Sequence, residues 1–392
     1  MKILYLTLSK IDLHTQGIYS DLINALSVSH EVTLLQVCEP KDVDQTCLTE
    51  DNDVRILKVL VGELFGVNFI RKGINTVKIA PKLKAAIRDH LKTEHFDLVL
   101  YATPPITFAG VVGYVRKKYG CRSFLMLKDI FPQNAVDIGL FSKKSPIHAY
   151  FRHQEKKLYA LSDVIGCMSE GNRKYLLEHN PDLDEKKVLI FPNTQKVVPL
   201  PAEEDTRESG GELKVVFGGN FGRPQAIDFL IASIGDPRVR EFPVRFFFVG
   251  NGSETEKVKQ AAGQLPNMEF VPFMPPEEYE RFMRSCDVGL ISLDHRFTIP
   301  NYPSRALSYM SMAKPILACT DRVTDIRELV LEQAQCGLWC ASDDTEGFAD
   351  CIRKLAAEPE LRKTYGCNGR KYFEEHFGVE RSVACIEDAM KG

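Results

Sequence analysis

Val216-Phe217-Gly218-Gly219-Asn220-Phe221-Gly222-Arg223 closes an apolar run and opens a glycine-rich turn, and its reading decides the fold. The run Leu213–Gly218 is short and rich in β-branched and apolar residues, which predicts a strand. A helical period follows the turn. Strand, tight turn and helix form the unit of a parallel α/β sheet, in which ligands bind at the carboxyl ends of strands. Glycines there let a backbone approach a diphosphate, and a helix start offers free N–H groups and a positive dipole end. The same turn also serves plain close packing. It lacks the full Gly-x-Gly-x-x-Gly spacing, which argues against a nicotinamide or flavin site.

The alternation extends along the chain in both directions. After the octet, strands are expected at Arg245–Gly250, Met268–Val271, Val288–Ile291, Ile316–Ala318 and Gly337–Cys340. Before it they are expected at Ile3–Leu8, Val32–Val37, Val54–Val59, Leu98–Tyr101, Ser123–Leu127, Val164–Met168 and Val188–Phe191. Amphipathic stretches such as Ile18–Ser27, Val77–Leu91 and Ile147–Leu161 separate them. Thr194–Gly211 breaks the pattern with Val-Pro-Leu-Pro, three acids and Ser-Gly-Gly, and reads as a linker. At 392 residues the chain exceeds one ordinary core. The expected organisation is α/β: a Rossmann-like domain over 1–195, a linker over 196–211 and a second such domain over 212–372. A helical tail, 373–392, would return to the first domain, within a stretch Pro359–Met390 that reads as wholly helical.

Bulk properties exclude several classes. A net charge of −3 gives no case for nucleic acid, although 26 Lys+Arg face 22 Asp+Glu through Gln195 and 24 face 31 beyond it. The basic first half suits an anionic surface. The 11 cysteines lie scattered in apolar runs without zinc-site spacing, as buried reduced thiols of a cytoplasmic protein would. Met1–Leu6 enters a strand with no cleavable signal, and no run approaches the ~20 apolar residues of a membrane span. Membrane contact would be peripheral. Lys143, Lys144, His148, Arg152, His153, Lys156 and Lys157, interleaved with Tyr150 and Phe151, could supply it through the N-terminal domain, or form an ordinary exposed helix.

Other strand ends carry candidate chemistry. Phe248-Val249-Gly250-Asn251-Gly252 repeats the glycine pattern. In Pro303-Ser304-Arg305-Ala306, Ser304 resembles a helix cap and Arg305 falls in the first turn, an arrangement suited to a phosphate. Lys128 and Asp129 follow an apolar strand and precede Ile-Phe-Pro, so both are expected at a sheet edge. Asp129 could accept a proton or a hydrogen bond there, and Lys128 could balance a negative charge; a structural salt bridge is the alternative. His14 and Glu170 also stand at strand ends.

The order of these motifs resembles the retaining glycosyltransferases of the GT-B fold, in the fourth family, and within it bacterial surface-polysaccharide enzymes that transfer N-acetylated aminosugars. The matching segments are Gly17–Leu22, Leu127–Ala135, Met168–Asn172, Phe191–Asn193, Gly218–Gln225, Val249–Gly252, Cys286–Leu290, Pro303–Pro315 and Gly337–Asp344. The resemblance implies two Rossmann-like domains with parallel sheets facing across a cleft. It places Gly17, Gly219, Asn220, Gly222 and Asn251 beside the donor diphosphate and sugar. Pro272, Phe273 and Met274 would hold the base, Ser304 and Arg305 the diphosphate, and Ser308 the ribose. Asp129, Lys128, Glu170 and His14 are its candidate catalytic groups.

Three features depart from that pattern. Asn220 and Gln225 stand where many relatives carry Arg and Lys, and Arg223 would replace the missing charge. Pro300 and Ser308 stand where relatives carry a pair of glutamates. Lys128-Asp129 stands where a His is common. The resemblance implies transfer from a nucleotide sugar, in most relatives a uridine one, to a lipid-linked saccharide of O-antigen or capsule at the inner membrane face. No cofactor and no metal are expected, and no Asp-x-Asp motif is evident. Two rivals share the architecture: a nucleotide-sugar 2-epimerase, and a catalytically silent sugar-nucleotide-binding partner.

Overall fold

A computed structural model describes residues 1–62, 69–200 and 211–391, with only the backbone described for 69–78. The chain divides into two compact units, one of residues 1–196 and 379 onward, the other of 197–378. Most of the expected linker, 201–210, lies outside the described residues.

In the first unit the strands are β1 (Lys2–Thr7), β2 (Glu31–Cys38), β3 (Cys47–Asp51), β4 (Val54–Leu60), β5 (Leu98–Ala102), β6 (Arg122–Leu127), β7 (Val164–Cys167) and β8 (Val188–Ile190). Their order is β3-β4-β2-β1-β5-β6-β7-β8, parallel except where β3 meets β4. Strand order reverses beside β1, where the β5 side begins. Ile3, Tyr5, Leu34, Leu100, Phe124 and Met126 join Leu22, Ile23 and Leu26 of the helix Ile18–Ser27 in one apolar cluster. β3 was not foreseen. Its residues Cys-Leu-Thr-Glu-Asp alternate half-buried and exposed at the sheet's end, so no apolar run marks it.

In the second unit the strands are β9 (Leu213–Asn220), β10 (Val244–Asn251), β11 (Met268–Val271), β12 (Val288–Ser292), β13 (Ile316–Thr320) and β14 (Gly337–Ala341). Their order, β11-β10-β9-β12-β13-β14, is parallel throughout and reverses between β9 and β12. Side chains alternate between two apolar clusters: Val215, Phe217, Leu290 and Leu317 face one, Val216, Ile291, Ile316 and Ala318 the other. The near-continuous apolar strands therefore follow from a sheet covered on both faces.

The C-terminal stretch is two helices rather than one. Pro359–His376 stays in the second unit, where Phe373 and Phe377 are buried, and it runs straight through the expected boundary at 373. The chain returns at Gly378, and the helix Val379–Lys391 places Val379 and Ile386 in the first unit's cluster. Among the described residues no helix is long and apolar enough to cross a membrane. All 11 cysteines are free.

Candidate active site

The turn after β9 is built from the absence of side chains. Gly219 has φ +115° and Gly250 φ +139°, conformations that L side chains rarely adopt. The two residues are register partners, and a Cβ on Gly250 would fall 2.1 Å from the carbonyl oxygen of Gly219. Phe221 N–H donates to the Asn251 carbonyl at 2.8 Å, tying the two strand ends together. The turn is also fixed to β12, because Asp294 N–H donates to the Pro224 carbonyl at 2.9 Å. Its location is the carboxyl end of the strands where their order reverses, the usual ligand position in such sheets.

Arg305 stands against this turn. A Cβ on Gly219 would lie 3.3 Å from its Nη2, and its guanidinium carbon sits 4.5 Å from the centre of the Phe217 ring. Nη1 is buried without a hydrogen-bond partner, and among the described residues no carboxylate pairs with the guanidinium. Desolvation lowers its pKa, while Tyr309 and Tyr279 act in the opposite sense. The Tyr309 hydroxyl donates to the carbonyls of Val216 at 3.2 Å and Leu290 at 3.1 Å, bridging β9 and β12. Tyr279 fills the space over Gly218, where a Cβ would fall 1.7 Å from its hydroxyl. Buried cations are normally paired. This one is held in place by aromatic rings with its charge unneutralised.

The sequence had singled out Arg305 but not Phe217, Tyr279 or Tyr309 as its supports. Two other expectations in this unit change. Ser304 occupies the cap position of the helix Arg305–Ser311 but makes no capping bond, because its backbone is already helical (φ −61°, ψ −23°). Gly222 is not followed directly by a helix: a short 3-10 turn, Arg223–Gln225, intervenes before Ile227–Gly235. Arg223 is exposed there and Gln225 is half-buried. Pro272, Phe273 and Met274 follow β11, Phe273 being 70% exposed, and Ser308 lies one turn beyond Arg305, half-buried.

In the first unit Lys128 and Asp129 directly follow β6, an interior strand, so they stand at a carboxyl end of the sheet. Neither forms a salt bridge among the described residues. Asp129 Oδ1 accepts from Asn134 Nδ2 at 2.5 Å, and the Thr103 hydroxyl donates to the Asp129 carbonyl at 3.1 Å. Lys128 Nζ lies 5.1 Å from the centre of the Phe191 ring. Burial pushes the Asp129 carboxyl up to about 6, against the smaller opposing effects of Asn134 and the Ile130 N–H. Burial alone pushes Lys128 down to about 7. Burial thus moves the two groups toward neutrality from opposite sides.

The other candidates are engaged at the surface. His14 Nε2 lies 3.0 Å from Asp51 Oδ1, and exposed Glu170, first residue of the helix Glu170–His179, pairs with Arg173 at 3.1 Å. Gly17 caps the helix Ile18–Ser27 in extended conformation. Among the described residues no group of three His, Cys, Asp or Glu side chains is arranged to hold a metal ion.

Comparison with known proteins bears on this arrangement. Residues 212–358 match the family described as glycosyl transferases group 1. The probable glycosyltransferase WbjE of Pseudomonas aeruginosa is 24% identical over 307 residues, 75% of each chain. Among solved structures, sucrose-phosphate synthase of Thermosynechococcus elongatus superposes with a TM-score of 0.79 at 17% identity, over 100% of this chain and 98% of that one. Anabaena HepE in complex with UDP-glucose gives 0.69 at 14% identity over 100% and 99%. WaaG, a glycosyltransferase involved in lipopolysaccharide biosynthesis, gives 0.67 at 15% over 98% and 99%. Two Rossmann-like units with parallel-dominated sheets, and neighbours of this type, define a GT-B-type fold. The protein is a glycosyltransferase, and the part of it similar to the group 1 glycosyl transferases, residues 212–358, lies in its second unit.

Proposed function

We propose that the second unit binds a uridine nucleotide sugar and that the enzyme transfers its sugar, an N-acetylated aminosugar, to a lipid-linked saccharide, with retention. One observation carries the donor reading: the unpaired guanidinium of Arg305 against the Gly219 turn. A diphosphate supplies the acceptors that Nη1 lacks, and backbone N–H groups of the turn share its charge. Phe273, 70% exposed beyond β11, suits contact with a base. Uridine is favoured because HepE was solved with UDP-glucose. In this reading the leaving diphosphate is stabilised by protein groups without a metal. Asp129 accepts the proton of the acceptor hydroxyl, or holds it by a hydrogen bond, while Lys128 supplies adjacent positive charge. O-antigen or capsule synthesis at the inner membrane face is the setting that fits a lipid-linked acceptor, and WaaG's part in lipopolysaccharide biosynthesis supports it.

The test is thermal stabilisation by uridine, guanosine and thymidine diphosphate sugars. A ligand at a hundredfold excess over its Kd adds about 2.7 kcal/mol. UDP-N-acetylated aminosugars should raise the melting temperature most, and Arg305→Gln should remove most of that rise. A stronger response to a guanine nucleotide, or an unaltered response in the variant, would defeat the reading.

A further inference from the structure

The Asp129 carboxyl is gripped by one side chain, Asn134. This residue sits in the short helix Gln133–Asp137, whose start is closed by Asn134 N–H donating to the Ile130 carbonyl at 3.3 Å and Ala135 N–H to the Pro132 carbonyl at 3.1 Å. Buried Ala135 anchors the helix. From there Asn134 Nδ2 donates to Asp129 Oδ1 at 2.5 Å. The backbone beneath is fixed separately: the buried Thr103 hydroxyl accepts the N–H groups of Lys128 at 3.1 Å and Asp129 at 3.3 Å. Thr103 therefore sets where residue 129 stands, and Asn134 sets where its carboxyl points.

The other end of the amide is left over. Asn134 Oδ1 is buried and has no hydrogen-bond partner. A buried acceptor without a donor costs stability, and such a group in a native fold calls for a reason. An amide carries a donor on one side and an acceptor on the other, so a half-turn about χ2 exchanges them. As it stands, Asn134 suits a carboxylate, which only accepts. After the half-turn Oδ1 faces Asp129 and suits a carboxylic acid, which donates. Each orientation leaves one amide group unbonded, so the proton on Asp129 decides between them.

Charged neighbours are engaged elsewhere. Lys128 lies over the Phe191 ring, Asp137 accepts from Gln133 at 2.7 Å, Glu170 pairs with Arg173, and Glu155 with Arg152. Lys143 and His148 share a small cavity with Ile130. Among the described residues only burial, Asn134 and the Ile130 N–H act on the Asp129 carboxyl, and Asn134 opposes burial by favouring the ionised form.

We propose that Asn134 is the positioning residue for Asp129, donating to its carboxylate and, after a half-turn, accepting from its carboxylic acid. The proposal rests on the reading that Asp129 takes the acceptor's proton. In that step the bond from the anomeric carbon to the diphosphate oxygen breaks, with its electron pair leaving on the diphosphate. The acceptor oxygen supplies the pair for the new glycosidic bond, its proton passes to Asp129, and Asp129 then gives that proton to water. One neutral side chain thus holds the carboxyl through both halves of the cycle.

The experiment follows the Asp129 carboxyl by carbon-13 NMR titration of the full chain labelled at aspartate, with Asp129→Asn assigning the resonance. Asn134→Leu keeps roughly the same volume and removes both donor and acceptor. Loss of a hydrogen bond to a charged group should move the Asp129 titration up by about one to two pH units. Turnover at pH 7 should then fall about two- to tenfold and recover relative to the native enzyme as pH rises, with donor affinity unchanged. The shape-preserving Asn134→Asp should also titrate high, because two adjacent carboxyls share a proton. Near-native melting temperatures check folding. An equal loss of turnover at every pH with the Asp129 titration unmoved would make Asn134 a merely structural residue and overturn the proposal. So would native titration and turnover in both variants. If Asp129→Asn keeps near-normal turnover while Asn134→Leu still moves the titration, the catalytic reading of Asp129 fails and its pairing with Asn134 stands.

Discussion

The two units begin alike, with a central strand feeding a glycine-bearing turn, yet the turns are built on opposite principles. After β1, Gly17 is extended at φ −179°, a conformation open to any residue. That turn is secured by a side chain: buried Asp21 accepts the N–H of Gly17 at 3.4 Å and of Lys196 at 2.8 Å. After β9, Gly219 and Gly250 hold left-handed conformations, strand ends touch backbone to backbone, and the unpaired guanidinium of Arg305 stands over Gly219. The first turn has its polar groups satisfied from within. The second leaves a buried guanidinium nitrogen unsatisfied, which is the condition for taking an anion. A strand followed by glycine signals both, and the contrast is open to mutation.

The largest effect should come from Gly250→Ala. Its methyl would enter the Gly219 carbonyl at 2.1 Å from a residue at φ +139°, and backbone on both sides leaves nothing flexible to yield. A loss exceeding about 4 kcal/mol is expected, in the range reserved for such backbone conflicts, read as a collapsed denaturation midpoint. A mild loss would mean that the strand ends can separate.

Asp129→Asn should lower turnover by about 10²–10³ while leaving donor affinity nearly unchanged, since loss of one preorganised polar contact to developing charge costs that much. The amide can still accept from Asn134, so the fold should persist. Near-normal turnover in the folded variant would remove Asp129 from the chemistry. The same variant tests a pH linkage. Burial raises the carboxyl from 3.8 to about 6, so between those values the folded chain holds a proton that the unfolded chain has lost. Stability should therefore fall as pH rises through that window, by up to about 3 kcal/mol, and the asparagine variant should lose this slope. Lys128 has the opposite sign: with its pKa pushed down to about 7, stability should rise as pH climbs above that value.

Arg305→Gln should weaken donor binding by roughly 10–100-fold, the range of one or two charge-assisted hydrogen bonds, with little loss of folding stability because removing a buried unpaired charge offsets the lost contact with Phe217. Calorimetric titration beside a denaturation curve checks both halves. Gly17→Ala should do least, within about 0.5 kcal/mol, because the added methyl meets only Ser20 Oγ at 3.3 Å. A severe defect there would mean that the first turn, like the second, needs its glycine for close approach to a ligand.

Continuous apolar runs and period-3.6 patterns between them made the parallel strands, the two-part organisation and the glycine turns legible from the amino acids alone, because burial of whole strands leaves a local compositional mark. Arg305 was legible too, in the first turn behind a capping-type serine, and Lys128 and Asp129 as polar residues just past an apolar run. Other features left no such mark. β3 escaped because a half-exposed end strand carries no apolar run, and the break at Phe377–Gly378 was hidden inside a continuous helical period. Ser304 matched a capping residue by type, but its backbone angles removed the bond. Whether Asp129 paired with Lys128 or with Asn134, whether His14 and Glu170 were free or engaged, and that Arg305 rests on Phe217 beside Tyr279 and Tyr309 were decided only in three dimensions. Those outcomes depend on which side chains distant in sequence arrive at one strand end, and periodicity records burial of a face without recording its neighbours.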